Sequence, residues 1–310
     1  MSNPTFRGWL LDLYLNQQDG LTLWFISESD DSRVCFTQRF PVTFYAAGAP
    51  DDLRRLWKVL RKEPGVTKLT RQQKQDVFVA DPVDVLAIDV DTPAHQVELF
   101  HRLEDQFPTL IWYDADVTIS TRYIARYGAF PLALCQLEAD SQNRIQSLET
   151  RNSRWDVMPA LPPLRILELA PDVDPTHSTV QALNLRSDRF SQRLPLDAQG
   201  SYLHTINAAL AAYDPDILVT DWGDSWLLPF LLQQSEQLGI PLALNRDPSR
   251  PVRWQKEITY FSYGHIIFRP EEAHLFGRCH VDRKSAMMWS DYSLAGTLEM
   301  ARVTTLPIEK

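Results

Sequence analysis

The chain has 310 residues, 44% of them hydrophobic and 23% charged, enough to bury a sizeable core and to form about two domains on ordinary size grounds. Its net charge of -9 excludes a protein that coats nucleic acid through bulk attraction, because that mode rests on neutralising phosphates with Lys and Arg. Three scattered cysteines, Cys35, Cys135 and Cys279, form no CxxC pair, which excludes both a disulfide framework and a cysteine zinc site.

The N-terminus, MSNPTFRGWLLDLYLNQ, lacks the basic start and apolar run of a signal peptide, and no window approaches the roughly 20 apolar residues of a membrane span. The expectation is a cytoplasmic chain with no membrane contact. FRGWLLDLYL, GLTLWFIS and RVCFTQRFPVTFYAA have the β-branched and aromatic content of strands, separated by DG and SDDS turn signals, and predict an opening meander. Behind Pro50, Asp51 and Asp52, Leu53, Leu56, Trp57 and Leu60 recur at helical spacing. That helix carries Arg54, Arg55, Lys58, Arg61 and Lys62, a basic patch that continues to Lys68, Arg71 and Lys74. VFVADPVDVLAIDV reads as an extended pair. A second helix is expected at Thr92 and Pro93, where a capping side chain precedes a proline suited to the first turn, with Val97, Phe100 and Leu103 as its apolar stripe.

Around residues 141 to 163 the chain turns polar and then proline-bearing, through SQNRIQSLETRNSRW and ALPPL, which places a boundary between a domain of residues 1–152 and one of residues 153–310. The second half reads as strands over LRILELA and STVQALNL, a helix over SYLHTINAALAAY, a strand over ILVTDW and a helix over WLLPFLLQQSEQLG. That order predicts an α/β sheet covered on both faces. Arg246, Arg250 and Arg253 form a second basic cluster. Each cluster reads either as an ordinary solvated face or as a local nucleic-acid contact. Trp222 and Trp226 read either as packing or as platforms for single-stranded bases, as do Tyr260, Phe261 and Tyr263 in the strand-like ITYFSYGHIIF. There is no GxSxG, no HExxH and no glycine-rich phosphate loop, and the seven histidines lack metal-ligand spacing, so no cofactor is expected.

YDADVTISTRYIARYGAFP, residues 113 to 131, resembles the end of the N-terminal domain of family B DNA polymerases, where an acidic pattern precedes an Arg-Tyr pair and a closing Gly-x-x-Pro. LRILELAPD, DPDILVTDWGDSWLLPFLLQQSEQLGI and GRCHVDRKSAMMWSDYSLAGTLEMAR then fall in the order of that family's 3′–5′ exonuclease domain, so the resemblance covers most of the chain. It implies an α+β N-terminal domain followed by a ribonuclease H-like domain, a mixed sheet flanked by helices. It also implies a role in DNA replication or repair, with DNA as a weak, sequence-indifferent partner and a polymerase palm and thumb as a further one, following Lys310 or on a separate subunit. No activity is expected from this chain alone.

The family's metal chemistry does not carry over by residue. Its first exonuclease motif supplies Asp-x-Glu to two divalent cations that activate water. On LRILELAPD without gaps, those positions are Ala170 and Asp172. Its second motif, laid on Thr220 to Leu231, puts Trp222 at the Asn and Leu227 at the metal-binding Asp. The third motif, Tyr-x-x-x-Asp, has no counterpart, so no metal is expected. The alternative is an active exonuclease with re-sited carboxylates, Glu168 and Asp172 with one of Asp221, Asp224 or Asp282, against which Asp224 reads equally well as a helix N-cap.

Overall fold

The expected opening meander is present in the computed structural model: β1 (Thr5–Asn16), β2 (Gly20–Ser27) and β3 (Arg33–Gln38) pair antiparallel in sequence order. The structure describes residues 5–16, 20–256, 258–262, 265–269 and 271–308, with backbone alone for 258–262 and 265–269. RVCFTQRFPVTFYAA, expected as one strand, divides at Arg39–Pro41, and β4 (Val42–Ala47) joins a different sheet. Pro41 supplies no N–H to a ladder, so a break there is physically reasonable. Helix α1 (Pro50–Leu60) buries Leu56 and Leu60 as its spacing predicted.

Lys68, Arg71 and Lys74 lie not on a helical patch but on β5 (Val66–Lys74), an edge strand beyond the left-handed Gly65 (φ 81°). Only the second part of VFVADPVDVLAIDV is extended, as β6 (Val83–Val90). Phe78 is 95% exposed in the connecting turn, which is pinned by the Asp76 carboxylate accepting from the Phe78 N–H at 2.8 Å. Helix α2 (Pro93–Gln106) begins with the Thr92 cap, whose Oγ1 accepts from the His95 N–H at 3.2 Å. Its buried face is Gln96, Leu99 and Leu103, while Val97 is exposed. β7 (Ile111–Tyr113), α3 (Ile119–Tyr127), β8 (Leu134–Ala139) and β9 (Ile145–Thr150) complete two sheets, in the orders β3-β2-β1-β8-β9 and β5-β6-β4-β7. The polar SQNRIQSLET therefore contains a strand paired to β8.

The second half begins with β10 (Ile166–Pro171), β11 (Ala182–Arg186) and β12 (Ser191–Pro195), a polar edge strand whose only buried side chain is Leu194. There follow α4 (Ser201–Tyr213), β13 (Ile217–Thr220), α5 (Leu228–Leu238) and the short strands β14 (Arg253–Gln255), β15 (Ile258–Ser262), β16 (His265–Arg269) and β17 (Glu272–His274). β18 (Cys279–Asp282) and α6 (Trp289–Thr304), kinked at Ser293, close the chain. The sheet order is β12-β11-β10-β13-β18, parallel across β10, β13 and β18 and antiparallel across the rest. This is the mixed sheet expected.

Period-two alternation gives that sheet two apolar faces. Leu167, Leu169 and Leu218 pack on Leu203, Ile206 and Leu210 of α4 and on Leu228 and Leu231 of α5. Ile217, Val219, Cys279 and Val281 face the other way, onto Leu298 and Ala301 of α6 and onto Trp9, Leu11 and Ile26 of the first sheet. The two halves thus share a core. A charged network borders it. Arg33 from β3 forks onto Asp216, with Nε donating to Oδ1 at 2.9 Å and Nη2 donating to Oδ2. Arg246 Nη2 donates to the same carboxylate at 3.0 Å, and the Arg165 N–H at 2.9 Å. Beside them, burial and then the charge of Arg246 push the Arg278 guanidinium down to about 10.

The side chains of Arg33 and Asp216 are 3% and 0% exposed, so breaking this pair leaves a buried carboxylate with Arg246 as its remaining ion-pair partner. Arg33→Met should lower unfolding free energy by about 1.5–3 kcal/mol in urea melts, the worth of hydrogen bonds to a charged group, and no measurable loss would show that the pair does not hold the halves together.

Candidate functional site

The C-terminal ends of β10, β13 and β18 lie side by side, and the chain leaves each by a polar turn. In register, Leu169 pairs with Thr220, and Thr220 with Asp282; Ala170 and Asp221 each follow the last registered pair of β10 and β13. Along β10, Leu167, Leu169 and Pro171 are buried, whereas Glu168 and Ala170 share the half-exposed face. After Thr220 the backbone turns through Trp222 in the left-handed region (φ 51°) into a wide helical turn, Gly223–Leu227, before α5 begins. Glycine is required at 223. A Cβ there would meet Thr220 Oγ1 at 1.9 Å and His280 Nε2 at 2.6 Å.

Beneath that turn lies a closed polar cluster. His280 Nε2 and Thr220 Oγ1 are 2.8 Å apart, and His280 Nδ1 lies 3.2 Å from Ala273 O and 3.5 Å from Asp224 Oδ1. Asp224 Oδ1 accepts from the Ala273 N–H at 2.8 Å, and the Asp224 N–H donates to Asp282 Oδ2 at 3.1 Å. Burial raises the Asp224 pKa above its ordinary range, opposed chiefly by the nearby His280. Asp224 is therefore an internal acceptor reaching to β17, not the N-cap of the following helix.

The expected site residues are distributed as follows. Leu227 is 0% exposed among Leu167, Leu169, Leu228 and Leu231. Asp172 accepts from the Gln181 N–H at 3.1 Å and from Arg193 Nη2 at 2.7 Å. Desolvation raises its pKa, but the hydrogen bonds from Gln181, Ala182 and Arg193 outweigh that and hold it below the usual carboxylate range. Glu168 and Asp221 both pair with Arg283, at 2.7 and 3.2 Å. Asp224 and Asp282 meet, but Glu168, Asp172 and Asp224 each answer to different partners. Among the described residues no group of three or more His, Cys, Asp or Glu is placed to hold a metal ion. The sequence pointed to no role for Arg283 or His280, although both lie on or next to the short buried strand CHVD within a segment that carries the resemblance.

Trp222 lies under Lys284, whose Nζ is 4.2 Å from the ring centroid. Trp226 stacks on Phe230 with centroids 4.9 Å apart, and both line an open cleft of about 550 Å³ with His177, Thr179 and Leu196. Tyr263 and the side chains of Tyr260 and Phe261 lie outside the described residues.

The two basic clusters fare differently. Arg54 and Arg55 pair with Asp51 and Asp52 on the exposed face of α1, while Lys58, Arg61 and Lys62 are exposed. Arg246, expected to be solvated, is 7% exposed, lies 5.6 Å over the Trp24 ring and pairs with Asp214 and Asp216. Arg250 donates to Leu15 O at 2.6 Å and packs over Tyr14 and Phe276. Only Arg253 of that group is exposed. A four-residue spacing in a polar stretch cannot distinguish a surface cation from one that buries its stem and guanidinium against aromatic rings.

The fold is a mixed five-stranded sheet covered by helices and preceded by an α+β unit, and the whole is similar to part of a solved family B DNA polymerase. The chain is similar to "DNA polymerase 1" of Pyrococcus abyssi, 21% identical over 234 residues that span 73% of this chain and 29% of the relative. It is likewise similar to a DNA polymerase of Thermococcus sp. (strain 9oN-7), 24% identical over 234 residues, 73% of this chain and 28% of the relative. It therefore spans under a third of the length of these relatives. Among solved structures, the family B DNA polymerase of Pyrobaculum calidifontis superposes with a TM-score of 0.69 at 17% identity, over 98% of this chain and 48% of that one. No protein-family model matches. Among the described residues, no helix is long and apolar enough to cross a membrane.

Leu227 sits where a carboxylate would be buried without partners. Leu227→Asp should destabilise the fold by several kcal/mol, about 3 or more, because an unpaired charge replaces core packing. An unchanged thermal melt would contradict this placement of Leu227 in the core.

Proposed function

We propose that this chain is the N-terminal and exonuclease-like part of a family B DNA polymerase, with residues 1–152 and 153–310 as its two domains. In this reading it acts in the cytoplasm and contributes DNA binding or scaffolding to replication or repair, without nuclease chemistry. The observation that carries the reading is Leu227, fully buried at the position aligned with a metal-binding Asp. An apolar side chain cannot replace a hard oxygen ligand, and Ala170 offers none either. The donor set therefore does not fit a two-metal site, and no hydrolytic step is derived through one.

DNA contact falls to phosphate-binding cations. Lys58 on α1, Arg61 and Lys62 just beyond its end, and Arg253 are exposed, unlike Arg246. Phosphate contacts give affinity without sequence preference and make it steeply salt-dependent. A second reading, docking of a separate polymerase palm subunit, is favoured by the segment after β9, where Trp155, Val157 and Met158 are all exposed.

Fluorescence anisotropy with labelled primer-template DNA should show weak, salt-sensitive binding by the wild type. Replacing Lys58, Arg61 and Lys62 by Glu should weaken it several-fold at low salt and flatten its salt dependence, with the melt unchanged. Wild-type protein that binds no DNA even at low salt would remove the DNA reading and leave the docking one.

A further inference from the structure

Two carboxylates at the strand ends face a single guanidinium. Arg283 Nη2 lies 2.7 Å from Glu168 Oε2 on β10, and Nη1 lies 3.2 Å from Asp221 Oδ2 just after β13. Since Glu168 shares a face with Ala170, and Asp221 directly follows Thr220, the β13 partner of Leu169, this bridge lies beside the position at which the family's first motif has its Asp. The arginine is fixed from two further directions. Its N–H donates to Thr220 O at 2.9 Å, and its guanidinium carbon lies 5.4 Å from the Trp289 ring centroid, on α6. Burial works against its charge, but the hydrogen bond to Glu168 and the charges of Glu168 and Asp221 outweigh burial and raise its pKa above the ordinary value.

We infer that Arg283 takes the place of a divalent cation at this end of the sheet: the protein supplies its own counter-ion to Glu168 and Asp221, and the same pair becomes a cation site when the guanidinium is removed. Two carboxylates on adjacent strand ends repel unless a positive charge lies between them. Oxygen ligands of this type suit Mg²⁺ or Mn²⁺, and a planar fork with five donors satisfies them equally well from within the chain. The fixed positive charge also repels any metal that approaches the pair. The inference rests on the reading that the family's metal site is lost, and it goes beyond that reading by naming what neutralises the remaining carboxylates.

Free Mn²⁺ measured by its paramagnetic resonance signal, alongside thermal melts with and without Mn²⁺, tests this without DNA. Wild-type protein should take up little Mn²⁺ and melt at the same temperature with or without it. Arg283→Ala should melt lower, bind Mn²⁺ about tenfold or more tightly than wild type, and regain melting temperature when Mn²⁺ is added. Glu168→Gln in the Arg283→Ala background should abolish both the binding and the recovery. If Arg283→Ala does not fold, Arg283→Gln, neutral and of closer size, carries the same comparison. A folded variant with no gain in Mn²⁺ affinity would overturn the inference, as would wild-type protein that binds Mn²⁺ as tightly as the variant. Neither result bears on the DNA titration, so the two readings fail separately.

Discussion

Asp216 is the residue on which the arrangement of the molecule turns. It precedes β13, the central parallel strand, and its fully buried carboxylate receives Arg33 from the N-terminal half, Arg246 from the loop after α5 and the Arg165 N–H at the start of β10. A carboxylate removed from water and left unpaired is strongly unfavourable, so the folded state requires these donors to converge. Their convergence fixes the start of β13 against β10 and against the first sheet. The far ends of the strands, where the candidate site lies, inherit that alignment.

At those far ends, each position has been filled by chemistry that suits its surroundings. Leu227 joins an all-apolar cluster. Asp172 is tied to the β11–β12 hairpin through Arg193. Glu168 and Asp221 share Arg283. Asp224, with a pKa raised by burial, is held as an acceptor for the Ala273 N–H and keeps β17 against the turn. The carboxylates that could be mistaken for a metal cluster are thus spread over three local networks, each with its own cation or N–H donors.

Much of this was legible in the sequence, for definite reasons. The long strands of the meander, α1, α2 and the β10–α4–β13–α5 succession announce themselves because local apolar patterning largely agrees with tertiary burial, and Thr92 caps α2 even though Val97 of its expected stripe is exposed. The edge strands β5 and β12 were missed because edges need little apolar content, and a polar strand looks like a loop. The exposed Val77, Phe78 and Val79 read as strand because apolar residues are expected inside, and the turn closed by Gln75 and Asp76 removes them from the ladder. At the site, Leu227 could be placed by resemblance, but Arg246 and Arg283 could not: whether an arginine is solvated, packed over Trp24 or bridging two carboxylates depends on partners distant in sequence.

The central proposal is that this strand end does not perform metal-dependent hydrolysis, and its most direct measurement is degradation of 5′-labelled single-stranded DNA by the purified chain with Mg²⁺ or Mn²⁺. The account predicts full-length DNA at all times, at protein concentrations where a competent exonuclease completes digestion. Stepwise 3′–5′ shortening that requires the metal and disappears in Glu168→Ala or Asp172→Ala would contradict it.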